Sequence, residues 1–130
     1  MAPAFAQGDL FANWKHSAAT INVLVRDGKT KELKKLFSET HTKLNDASET
    51  WKQIRDAKKY FPACRYLDST VLYSTDNRAN KSLIVYRYQY VTKEESFEFS
   101  LYITFNADKR VDIALVKTLR NVLRDAYRDR

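Results

Sequence analysis

From position 83 to position 105 the chain reads LIVYRYQYV, TKEES, FEFSLYITF, and its last nine residues alternate almost without fault. Phe97, Phe99, Leu101, Ile103 and Phe105 fall on one face of an extended chain, while Glu98, Ser100, Tyr102 and Thr104 fall on the other. A period of two predicts a strand with one buried and one wetter side. In the strand before it, Ile84, Tyr86, Tyr88 and Tyr90 share a face, Arg87 and Gln89 lie opposite, and the polar TKEES segment makes the loop. Residues 65–75 are rich in β-branched and aromatic side chains and run into the polar stretch 76–80, a strand followed by a hairpin loop. After a tight turn at Asn106-Ala107-Asp108-Lys109, Val111, Ile113 and Leu115 alternate with Asp112, Ala114 and Val116. Four strands joined by three successive hairpins make an antiparallel meander.

Upstream the period changes to that of a helix. Over residues 10–26, Leu10, Trp14, Ser17, Ala18, Ile21, Leu24 and Val25 recur at steps of three and four, with Asp9 as N-cap and Asp27-Gly28 as the stop. A short helix over residues 30–38 turns Leu33, Leu36 and Phe37 inward and Lys31, Lys34 and Lys35 to water. The polar residues 41–46 read as a loop. A third helix follows, capped by Asp46 or Ser48 and running to about residue 59, with Ala47, Trp51 and Ile54 on its buried side. Tyr60-Phe61-Pro62 ends it, because the residue before a proline is pushed out of helical geometry. At the far end, residues 119–130 place Leu119, Val122, Leu123, Ala126 and Tyr127 on one helical face, an amphipathic terminal helix.

These elements predict an α+β fold: N-terminal helices packed in a curved, cone-like antiparallel four-stranded meander, plus a C-terminal amphipathic helix. Residues 1–9 form a flexible N-terminus, 10–118 the domain and 119–130 the terminal helix. A chain of 130 residues is about one domain, and two glycines and two prolines leave no long linker. The longest apolar runs are strand-length, far from the roughly 20 residues that span a bilayer, so no transmembrane segment is expected. Ala4-Phe5-Ala6 before Gln7 has the small-x-small form of a signal-peptidase site. Met1 to Ala6 then reads either as the remnant of an export signal, placing the protein in the periplasm or outside the cell, or as an alanine-rich start in a cytoplasmic chain.

The pattern of three helices followed by a four-stranded meander resembles the nuclear transport factor 2-like, cystatin-like superfamily, and within it the small exported bacterial domains of unknown function. The resemblance is carried by a helix ending in Asp27-Gly28, a short helix with Leu36-Phe37, Trp51 in the third helix, and an F-x-x-D-x-x-[IV] turn, here Phe105 to Val111. It implies a sheet curled around the first helix and a noncatalytic module that binds a small apolar ligand or a protein partner. A minority of such domains are isomerases or dehydratases. It also implies a pocket between the first helix and the sheet, lined by Trp14, Tyr86, Tyr88, Phe99, Leu101, Ile103 and Ile113. The terminal helix departs from the pattern.

Read from the residues alone, Tyr86, Tyr88 and Tyr90 make either a pocket wall with hydroxyls, a platform for bases, or plain strand packing. An enzyme needs a buried acid or base. Asp68 and Asp112 are the strand-borne candidates, and Asp112 should face away from Val111 and Ile113. His16 and His41 sit on different elements, and a lone cysteine, Cys64, gives no disulfide or cysteine-based zinc site, so neither metal nor cofactor is expected.

The net charge is +7. The cations gather in three sets: Lys31, Lys34 and Lys35; Lys52, Arg55 and Lys59; Arg120, Arg124 and Arg128. If these faces adjoin they form a phosphate-binding patch, and nucleic acid is the lesser alternative to a protein partner. Glu32, Asp56, Asp125 and Asp129 partly cancel them, leaving an ordinary solvated surface as the plain reading. The terminal helix can cap its own domain or pair with a second copy in a homodimer.

Overall fold

The structure, a computed structural model, describes residues 10–73, 81–106 and 108–118. The export reading of residues 1–6, the Asp9 cap, the loop 76–80 and the terminal helix with Arg120, Arg124 and Arg128 lie outside the described residues. Within them the fold is α+β, with three α-helices and a five-stranded mixed sheet. The elements run α1 (Trp14–Arg26), α2 (Thr30–Glu39), β1 (Lys43–Leu44), α3 (Ala47–Ala57), a 3₁₀ turn (Phe61–Ala63), β2 (Cys64–Tyr73), β3 (Ser82–Val91), β4 (Ser96–Asn106) and β5 (Arg110–Thr118).

The hairpins β2–β3, β3–β4 and β4–β5 pair antiparallel. The expectation of a four-stranded sheet is corrected by β1, which pairs parallel with the start of β5, Lys43 with Arg110 and Leu44 with Val111. The sheet order is β1-β5-β4-β3-β2. Two residues carry no alternation, and their partner lies far down the chain, so residues 41–46 read locally as loop. The backbone there is bent by His41 and Asp46, both at positive φ.

α1 begins at Trp14 rather than Leu10, and Asn13 is its N-cap residue. Leu10 is nonetheless fully buried, and its carbonyl accepts a hydrogen bond from Ser17 Oγ at 2.6 Å. The helix ends where expected. Gly28 takes φ 68°, which only glycine adopts without strain, and Lys29 N–H closes on Leu24 O at 2.8 Å.

The core lies between the sheet and the helices. Phe97, Phe99, Leu101, Ile103 and Phe105 of β4 are all buried, packed with Ile84, Tyr86 and Tyr88 of β3, Val111 and Ile113 of β5, and Ala18, Ile21 and Val25 of α1. Each such aliphatic or aromatic side chain contributes about 1.5–3 kcal/mol by leaving water. α3 buries Thr50, Ile54 and Ala57. Trp51 and Ala47, expected on its buried side, are half-buried instead, because the inward stripe is rotated toward Thr50 and Ala57. No helix of the described residues is long and apolar enough to cross a membrane.

Candidate functional site

On the helix side of the sheet, the residues implied as a pocket lining are packed against one another. Tyr86, Tyr88, Phe99, Leu101, Ile103 and Ile113 are each 6% exposed or less, and Trp14 is half-buried beside Phe105, ring centroids 6.0 Å apart. The 3₁₀ turn wedges Phe61 against Tyr88 and Phe99 at 5.3 and 5.4 Å. Tyr88 donates its hydroxyl hydrogen to Asn22 Oδ1 at 2.6 Å, tying β3 to α1. Among the described residues no buried side-chain nitrogen or oxygen lacks a hydrogen-bond partner. Burial pushes the Tyr86 phenol up to about 12 and raises that of Tyr88.

The strand carboxylates lie on the opposite face. Arg87 donates Nε to Asp68 Oδ1 at 2.7 Å and Nη1 to Glu98 Oε1 at 2.9 Å, a bridge across β2, β3 and β4. The guanidinium pKa is raised, chiefly by its hydrogen bonds to Asp68. Asp112, facing away from the core as its alternation predicts, accepts a hydrogen bond from Asn106 Nδ2 at 2.8 Å. Cys64 is half-buried rather than fully buried, and desolvation lifts its thiol to about 11, which keeps it protonated and unreactive at neutral pH. His16 and His41 are exposed on separate elements. Among the described residues no three His, Cys, Asp or Glu side chains converge on a point where a metal would sit.

The surface of α2 and α3 assembles what the sequence left apart. Phe37 of α2 packs on Trp51 of α3 at 6.5 Å, and Lys34 Nζ sits 5.1 Å from the Trp51 ring centroid, a cation–π contact across the two helices. Arg55 and Lys58 follow Trp51 by four and seven residues, the same helical face. Lys31, Lys34, Lys35, Lys52, Arg55, Lys58 and Lys59 are all exposed. Lys58 runs back past Gly28, where an added Cβ would meet its Cε at 2.9 Å, and it lines with Arg26, Asp27, Phe61 and Pro62 a depression of about 400 Å³. Between positions 29 and 59 there are nine basic and five acidic side chains. Lys59 lies 5.1 Å from the Tyr60 ring, and Lys117 of β5 stacks over Phe97 at 4.2 Å.

Sequence spacing found the two basic sets but not the contact of Lys34 with Trp51, which depends on the approach of α2 to α3. It missed Lys58, which its seven-residue step from Trp51 places on the same helical face, and Lys117, which only its packing over Phe97 singles out. The third set, on residues 119–130, lies outside the described residues. The chain matches no family model, no curated protein sequence and no solved structure.

Proposed function

We propose that this protein is a noncatalytic partner-binding module, and that its working face is the basic surface of α2 and α3. The observation that carries the reading is the Lys34–Trp51 contact at 5.1 Å, which joins two cationic helix faces around one half-buried indole. A surface is favoured over an interior ligand pocket because six of the seven implied lining residues are 6% exposed or less. It is favoured over an isomerase- or dehydratase-like site because Asp68 and Asp112 lie away from the helix side, held by Arg87 and Asn106. The nuclear transport factor 2-like, cone-like arrangement belongs to the same proposal, supported by the order of helices and strands. Export to the periplasm belongs to it too and rests on the Ala4-Phe5-Ala6 pattern alone.

A cationic face with an aromatic at its centre fits an anionic partner, whose affinity then falls with added salt. The test titrates the protein with a labelled single-stranded oligonucleotide and, separately, with a polyaspartate peptide. The expected result is salt-sensitive binding of at least one of them, weakened at least about tenfold by Lys34→Glu combined with Lys52→Glu. Binding to neither probe at low salt, or binding indifferent to the pair of substitutions, overturns the proposal. Preference for the oligonucleotide identifies the nucleic-acid reading, and preference for the peptide identifies a protein partner.

A further inference from the structure

The ends of α1 and α3 and the 3₁₀ turn meet at the depression of about 400 Å³ that Arg26, Asp27, Lys58, Phe61 and Pro62 line. Its apolar wall is fixed from behind. Phe61 is 5% exposed and is wedged against Tyr88 and Phe99, ring centroids 5.3 and 5.4 Å away, and the ring of Pro62 locks one backbone angle beside it. The charges on the other walls do not balance, since Arg26 and Lys58 stand against Asp27 alone.

Both cations are positioned, yet neither is used up by the protein. Arg26 donates Nε to Asp27 Oδ1 at 3.1 Å, which orients the guanidinium and leaves its two Nη groups with no hydrogen-bond partner among the described residues. Lys58 is held by its stem. Its Cγ, Cδ and Cε stand 3.2, 3.1 and 2.9 Å from where a Cβ on Gly28 would be, so the stem runs along bare backbone that any other residue would obstruct. Among the described residues no carboxylate lies within ion-pair distance of its ammonium. A lysine near a helix end often serves the last carbonyls. Here backbone N–H groups already close them: Asp27 on Val23 O at 2.9 Å, Lys29 on Leu24 O at 2.8 Å and Gly28 on Val25 O at 3.1 Å.

A guanidinium fork and an ammonium beside an apolar wall suit an anion that carries an apolar body. Two cations against one carboxylate leave a single positive charge, which a monoanion balances and a dianion exceeds. We propose that this depression binds a small molecule with one carboxylate on an apolar body, the carboxylate held by Arg26 and Lys58 and the body lying on Phe61 and Pro62. Anchors fixed before the ligand arrives lower the ordering cost of binding. Of these residues only Lys58 also belongs to the basic face of α2 and α3, so this site and that face can fail independently.

The test titrates the isotope-labelled full chain with phenylacetate and follows its amide resonances. Two compounds with the same ring run beside it, phenethylamine as the cation and phenyl phosphate as the dianion. The expected result is saturable shifts centred on Arg26, Gly28, Lys58 and Phe61 with phenylacetate, weaker binding of phenyl phosphate and none of phenethylamine. Lys58→Met keeps the stem and loses the charge, and Arg26→Gln loses the fork. Each should raise the phenylacetate dissociation constant about tenfold, as the loss of a charge-assisted hydrogen bond does. Lys93→Gln removes an equal charge from the exposed β3–β4 loop and should leave that constant unchanged. Circular dichroism checks that each variant is folded. No saturation by phenylacetate up to about 10 mM overturns the proposal, as do shifts centred elsewhere or tighter binding of either comparison compound. Binding indifferent to the Arg26 and Lys58 variants, or weakened equally by Lys93→Gln, overturns it too.

Discussion

The Tyr88 ring is 2% exposed, and its hydroxyl goes into the core with it, satisfied by Asn22. A buried polar group left without its partner costs more than the bond itself contributes. Tyr88→Phe removes the donor and strands the Asn22 amide oxygen, so urea denaturation should show a loss of about 1–3 kcal/mol. Tyr102, half-buried on the opposite face, is the comparison: Tyr102→Phe should cost less than about 0.5 kcal/mol. Alternation in β3 was enough to place Tyr88 on the buried face. It could not name Asn22, a polar residue beside Ile21 and facing a strand 66 residues away, because only the approach of α1 to the sheet brings them together.

At the level of elements, the helices and strands set by local pattern came out close to their expected limits, while those set by distant partners did not. β3, β4 and β5 each carry their own alternation, β2 is marked by its β-branched and aromatic residues, and α1 carries its own stop at Gly28. β1 exists only because Lys43 N–H reaches Lys109 O at 3.0 Å and Asn45 N–H reaches Val111 O at 2.9 Å. The docking of α3 on β5 is of the same kind. Gln53 lies one position from Lys52 on a polar stretch, and nothing in its spacing marks it as the cap of a strand edge. Gln53→Ala should leave the part-buried Leu115 N–H without an acceptor, lowering stability by about 1–3 kcal/mol in denaturant melts. Amide exchange at Leu115 should accelerate in the same variant, whereas exchange in β3 should be unchanged if the loss is local.

For the whole molecule, burial of ionisable groups sets how stability responds to alkali. The Cys64 thiol is lifted from 9.0 to about 11 and the Tyr86 phenol from 10.0 to about 12, both by desolvation. Above pH 9 the unfolded chain releases protons that the folded chain still holds, so the unfolded state binds fewer and stability falls as pH rises. The contribution is complete below about pH 9 and is lost progressively up to about pH 12. Unfolding midpoints in urea should therefore decline between pH 8 and pH 11, less steeply in Cys64→Ala; a flat profile would count against the burial of these groups. What the sequence determined by itself is what is periodic: an α+β domain, three helices, four long strands and the faces of β3, β4 and β5 that go inward, because helix and strand repeats are local properties of the chain. The tertiary structure alone decided the fifth strand, the half-burial of Trp51, the Lys34–Trp51 contact and the docking of Gln53 on the β5 edge. Each depends on which distant segment comes to lie beside which, and a period of two or of 3.6 residues carries no information about that.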